Sequence, residues 1–282
     1  MARAVLRRLL DSHLGAPGRA LLAWRTRGQA EALFASRGLT VPSRTLASRL
    51  DERVVRGPFT GLRYPRRRGD IVHAAKLLGA YESELHAPLE RLIARSPARV
   101  VNIGSGDGYY VVGLARRLPA AEIWAVDPDP FAQRACRATA ALNDVSARLH
   151  CSPRLDPRGL EGVLRAAADG RVAPTRATPR LLCVVDCEGY EDELLEPTRV
   201  PSLAHADILV ETHDFARAGV TGRLAARFAR THDVVRVEIA ARAPAHFPEL
   251  AGLPAALAAG LLDEFRHPPQ AWLVLTARAG RT

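Results

Sequence analysis

Four residues of this chain carry side chains suited to proton transfer at a regular spacing. They are Asp186 and Glu188 in VVDCEGY, and Glu211 and His213 in ILVETHDF. Alternate residues on a strand point the same way, so each pair shares a face wherever its strand persists that far. Imidazole titrates near neutrality, which makes His213 the first candidate for a general base. Glu188 or Asp186 would orient an acceptor or serve as base instead. The same oxygen-rich set with one imidazole would also suit Mg²⁺ or Mn²⁺. No tight ligand spacing demands an ion, so no metal is assigned.

A second group lies upstream. VVNIGSGDGYY places Gly104, Gly106 and Gly108 at alternate positions, with Ser105 and Asp107 between them. Glycines after a strand permit positive φ and close approach of a ligand to the backbone. Asp127, in IWAVDPDP, lies 23 positions after Gly104. That is close to the roughly 20-residue spacing of a carboxylate that binds a ribose hydroxyl pair. A dinucleotide loop prefers G-x-G-x-x-G, but here Tyr109 stands where the third glycine would be. A pyrophosphate also wants a bare helix N-terminus, and Asp107 puts negative charge there. An amino-acid zwitterion joined to adenosine fits both departures, and S-adenosylmethionine is such a molecule. Tyr81 and Glu82, in LLGAYESEL, precede the loop and are placed to approach the amino-acid end. Phe131, just past the ribose acid, is a candidate flank for adenine.

These groups need elements to hold them. Strand-like runs cover Val100–Ile103, Glu122–Val126, Ala147–Cys151, Leu181–Val185, Asp207–Glu211, Val234–Ile239 and Ala271–Thr276. Helical stretches alternate with them: Val111–Leu118, Pro130–Leu142, Leu160–Ala168 and Val220–Arg230. A further helix is expected from about Leu78 to Arg95, with Leu85, Leu89, Leu92 and Ile93 on its buried face. Continuous apolar strands alternating with helices predict an α/β fold with a doubly wound, mostly parallel sheet. The expected organisation is an N-terminal helical and loop extension over residues 1–70, then a ligand-binding domain over 71–282. The Pro-punctuated segment 241–270 is long for a hairpin connection and is expected to act as a lid or acceptor-binding cap.

Composition narrows the classes. The chain has 282 residues, 48% apolar, with net charge +10. Its 40 basic residues include a single lysine, Lys76. The arginines are scattered apart from Arg66–Arg68, and no nucleic-acid reading motif accompanies them, which disfavours a nucleic-acid partner. No stretch is apolar enough for a membrane-spanning helix. Cys136, Cys151, Cys183 and Cys187 form no C-x-x-C pair, so reduced thiols in a cytoplasmic protein are expected. The Arg-rich N-terminus reads as an amphipathic helix.

VVNIGSGDGYY, IWAVDPDP, CVVDCEGYEDELL and ILVETHDF together resemble the Rossmann-type S-adenosylmethionine-dependent methyltransferases. Within these the chain is most similar to the FkbM-type family, over about residues 78–215. Members show D-x-E-G after the fourth strand and E-x-H after the fifth, met here by Asp186–Gly189 and Glu211–His213. The resemblance implies seven strands with the last antiparallel, the methyl donor at Gly104–Gly108 and Asp127, and transfer mostly to oxygen. The acceptor would be a small-molecule or glycan hydroxyl. Many such enzymes carry an acid two residues before the first glycine, where this chain has Asn102. Its amide still hydrogen-bonds but brings no charge. The competing reading, a nicotinamide-dependent oxidoreductase, is disfavoured by the glycine spacing and by the lack of a Tyr-x-x-x-Lys pair. A nucleic-acid methyltransferase is the other alternative.

Overall fold

The computed structural model describes residues 28–66, 71–165, 180–266 and 270–278. The expected N-terminal amphipathic helix, Arg67, Arg68 and residues 166–168 of another expected helix lie outside the described residues. Seven strands form one sheet: β1 (Arg99–Ile103), β2 (Glu122–Val126), β3 (Leu149–Ser152), β4 (Leu181–Val185), β5 (Ala206–Thr212), β6 (His232–Glu238) and β7 (Ala271–Ala277). Their order is β3-β2-β1-β4-β5-β7-β6. The first five pair in parallel, while β7 runs antiparallel to both β5 and β6. The expected doubly wound, mostly parallel sheet is present. β3 starts two residues later than expected, because Ser146–Arg148 forms a 3-10 turn.

Alternation within single strands explains the two covered faces. Val100 and Val184 face one cluster with Tyr109, Val112, Leu114 and Trp272. Val101, Cys183 and Val185 face the other, with Ile208, Leu224 and Phe228. β1, β4 and β5 bury both of their faces, which is why they read as continuous apolar runs, whereas the edge strands β3 and β6 are partly exposed. Residues from the N-terminal region, Val54, Phe59, Leu62 and Tyr64, join the first cluster.

The expected helix from Leu78 to Arg95 is corrected. It is broken into His73–Leu78, a turn, a 3-10 segment Ser83–Leu85 and a helix His86–Ala94. Gly79 causes the break. It adopts φ +65°, and a Cβ there would lie 2.5 Å from the carbonyl oxygen of Arg56. Only glycine ends the first helix in this left-handed cap without strain. The interruption turns Tyr81 and Glu82 toward the carboxyl edge of the sheet.

The 241–266 segment holds the 3-10 turns Pro244–His246 and Pro248–Leu250 and the helix Ala255–Leu262. Leu250, Ala258 and Leu261 pack with Leu39, Leu46 and Leu78 in a third cluster. Both ends of the segment are pinned to the 80–84 turn. Arg242 pairs with Glu84 and Glu264 and donates to the carbonyl of Ala80, and Glu264 accepts from the amide of Glu82.

Candidate functional site

The site lies at the carboxyl edge of the sheet, where the loops after β1, β2, β4 and β5 meet. Gly104, Gly106 and Gly108 all have positive φ, but for different reasons. A Cβ on Gly104 would lie 1.6 Å from the carbonyl oxygen of Asp186, so this glycine is required by the neighbouring strand end. A Cβ on Gly108 would press on Val112 at 2.9 Å, in the packing against the helix Tyr109–Arg117. A Cβ on Gly106 would meet nothing within 4 Å. Of the three, Gly106 alone borders open space, and there a ligand has room against the backbone.

Asp127 closes this loop. Its Oδ2 accepts from the amide of Gly106 at 2.8 Å, and its Oδ1 from the amide of Asp129 at 2.8 Å. The ribose acid of the sequence reading therefore stands against the glycine turn, and also fixes the backbone there. Ser105 is buried within the loop, its amide donating to Val126 at 3.1 Å. Asp107 meets Lys76, whose Nζ donates to Asp107 Oδ2 at 2.9 Å with both side chains buried. Asn102 is 1% exposed in mid-β1. Its amide nitrogen donates to the carbonyl of Val184 at 3.2 Å, while its Oδ1 accepts no hydrogen bond. Phe131 is half-buried with the Arg134 guanidinium over its ring at 4.5 Å.

Asp186, Glu211 and His213 come together. His213 Nε2 lies 3.5 Å from Asp186 Oδ1 and 3.6 Å from Glu211 Oε2. On its other side, Nδ1 donates to Glu191 Oε1 at 2.7 Å. Glu191 Oε1 also accepts from the amides of Cys187 and Gly189. Burial opposes ionisation of Glu191, but these bonds and the histidine charge hold its carboxyl below the usual range. Burial likewise opposes a charged His213. The Glu191 hydrogen bond and the charges of Asp186, Glu191 and Glu211 outweigh it and push the imidazole up to about 10. Asp186 is 32% exposed and hemmed by protein elsewhere. That enclosure, opposed by His213, pushes its carboxyl up to about 6.

Glu188 does not join them. β4 ends at Val185, and Glu188 follows in a left-handed turn at φ +57° with its side chain exposed. The condition that would have aligned it with Asp186, a longer strand, is not met.

Glu82 and Tyr81 lie at the same edge. The Glu82 carboxylate accepts from Tyr110 and from Arg266, and burial leads the causes that raise it to about 7. Arg266 also binds Glu211 and Glu264, so it joins β5, the 79–82 turn and the segment before β7. Tyr81 packs edge-on against Tyr109, ring centres 5.2 Å apart.

Sequence reasoning missed Glu191, Arg266 and the Lys76 partner of Asp107. Arg266 lies far along the chain from Glu82 and Glu211 and has no motif. Glu191 opens a short helix, Glu191–Leu194, amid other acids, and nothing in EGYEDELL separates it from them. Lys76 carried a signal: it is the one lysine among the 40 basic residues.

Chemically, the edge offers an open glycine turn beside a fixed carboxylate, and a proton-handling cluster a short way off. Asp186, Glu211 and His213 each present a ligand atom within 4.8 Å of the others, the one grouping of three histidine, cysteine or carboxylate side chains this close among the described residues. With Glu191 on Nδ1, the Nε2 atom faces the carboxylates, as in carboxylate–histidine–metal arrangements.

No family profile and no curated protein sequence matches the chain. Solved structures do. A precorrin-6y C5,15-methyltransferase from Geobacter metallireducens is 13% identical, with 68% of this chain and 86% of that chain covered and a TM-score of 0.42. The tomaymycin-synthesis O-methyltransferase of Streptomyces achromogenes, solved with S-adenosylmethionine, is 14% identical over 71% of this chain and 89% of its own, TM-score 0.40. An S-adenosylmethionine-dependent O-methyltransferase of Thermotoga maritima is 9% identical, covering 71% and 67%, TM-score 0.41.

Proposed function

We propose that this chain is an S-adenosylmethionine-dependent methyltransferase of the FkbM type, acting on a hydroxyl of a small molecule or glycan. The observation that carries the reading is the pairing of Asp127 with the amide of Gly106, beside open space. It sets a carboxylate for a sugar diol against a glycine that bars nothing. The residues fit the donor in a second way. Asn102 Oδ1 is a buried acceptor without a donor, two positions before the first glycine, and an ammonium would supply one.

When bound, the donor supplies an electrophilic methyl on a sulfonium centre. The protein's part is alignment and proton removal, and alignment alone is worth ~7–11 kcal/mol in favourable cases. His213 was the first candidate for the base, but held up at about 10 it carries its proton at neutral pH. It is then a cation whose Nε2, 3.5 Å from Asp186 Oδ1, steadies the ionised carboxylate. Asp186, at about 6, is ionised at neutral pH and partly open. We assign it as the base that takes the acceptor's proton, with Glu191 fixing His213 as a positioning residue.

The signs follow. kcat/KM should rise as pH rises through about 6, as Asp186 ionises, and fall toward pH 10, as His213 loses its proton. Replacing Glu191 with Gln removes a charge that stabilises the imidazolium. E191Q should therefore move the descending limb to lower pH, and a pH–rate profile with an unmoved alkaline limb would exclude this role.

A second reading rests on the Asp186–Glu211–His213 grouping. A divalent ion held there would act as a Lewis acid on the acceptor oxygen. Extensive chelation followed by Mg²⁺ or Mn²⁺ add-back separates the two: activity that survives chelation supports Asp186 alone, and activity restored only by metal supports the ion. The function itself is tested with methyl-labelled donor and a panel of sugars and polyketide hydroxyl compounds, with mass spectrometry reading the transferred label.

A further inference from the structure

We propose that Lys76 and Asp107 act as one unit that reads the α-amino-acid end of the donor, Lys76 taking its carboxylate and Asp107 its ammonium. This rests on the donor reading above and assigns Lys76, which that reading does not use.

Lys76 is the only lysine in a chain whose other cations are arginine. It sits on the helix His73–Leu78, whose six side chains are all buried. Its Nζ donates to Asp107 Oδ2 at 2.9 Å and lies 5.3 Å from the centre of the Tyr81 ring. A buried ion pair is a poor device for stability, because apolar side chains of similar volume are often as good or better. A pair kept beside an open turn therefore points to a ligand. Gly106, adjacent to Asp107, is the residue bordered by open space.

The chemistry selects the ligand class. A lone anion at this pair meets Asp107, and a lone cation meets Lys76. A molecule carrying both charges on one carbon satisfies each partner at once. A compact ammonium with three donors can serve Asp107 and a ligand carboxylate together, whereas a guanidinium is a planar fork with fixed directions. That difference accounts for lysine here in an otherwise arginine-based chain.

The test compares three ligands by titration calorimetry on the full chain: S-adenosylmethionine, its decarboxylated form, and 5′-methylthioadenosine, which lacks the amino-acid end. The wild type should bind S-adenosylmethionine ~30-fold more tightly than the decarboxylated form, about 2 kcal/mol. In K76M that preference should vanish, while affinity for 5′-methylthioadenosine stays as in the wild type. Equal affinity of the wild type for the first two ligands would overturn the proposal, as would an equal loss for all three in K76M. If K76M does not fold, the wild-type comparison still decides. A wild type that binds none of the three removes the donor reading itself, and the proposal with it.

Discussion

Substituting alanine for Gly104 is expected to unfold the site and abolish donor binding, the largest effect of any single change considered. Gly104 sits at φ +79°, where a side chain costs roughly 1–2 kcal/mol by itself. More seriously, the new methyl would lie 1.6 Å from the carbonyl oxygen of Asp186. That carbonyl is backbone at the end of β4, held by the bond from the Asp186 amide to Ile103 at 2.9 Å. It cannot swing aside as a side-chain tip would. β1 and β4 must separate at their carboxyl ends, which moves the base and the glycine turn together. A loss on the order of 3–5 kcal/mol is expected, read as a lowered thermal unfolding midpoint. G106A provides the contrast. Its methyl meets nothing within 4 Å, so the cost is the backbone term at φ +53° alone. G106A should stay folded, losing about 1–2 kcal/mol, and yet bind the donor poorly because the methyl fills the space a ligand needs. Equal stability losses in the two variants would mean that the turn is not built as described.

The second large effect is expected at Asp186. D186N removes the ionisable group without changing shape, and kcat should fall by ~10²–10⁴, the usual contribution of a positioned base. Affinity for S-adenosylhomocysteine should stay within about threefold of the wild type, because Asp127 and the glycine turn are untouched. The variant also deprives His213 of a partner 3.5 Å away, so its imidazole should titrate lower, a shift visible by NMR. H213N, by comparison, should cost less in kcat than D186N if His213 steadies the base. A larger loss in H213N would return the role of base to histidine.

The sheet was largely legible in the sequence because its central strands β1, β4 and β5 are buried on both faces and each intervening helix keeps one apolar side. Both patterns are local. The break at Gly79 was harder to see. Leu85, Leu89 and Leu92 carry a helical period that lies wholly beyond it, and what ends the first helix is the close approach of Gly79 to the backbone of Arg56, distant in sequence. At the site, motifs with fixed spacing were readable: the glycine turn with Asp127, and Glu211 with His213. Glu188 misled because period-two alignment holds only inside a strand, and β4 ends three residues before it. Glu191 and Arg266 were invisible for a different reason. Their roles come from which carboxylates and imidazoles the folded chain crowds together, and the sequence holds many equivalent acids and arginines. Gly104 and Gly108 answer to the protein's own atoms, and Gly106 borders the open space.

The central claim is that the first crossover of this sheet holds an adenosine joined to an amino acid. Titration calorimetry of the full chain with S-adenosylhomocysteine and, separately, with NAD tests it most directly. Saturable binding of S-adenosylhomocysteine with Kd of ~1–100 µM is expected, with no measurable heat from NAD. Tight binding of NAD with none of S-adenosylhomocysteine would contradict it.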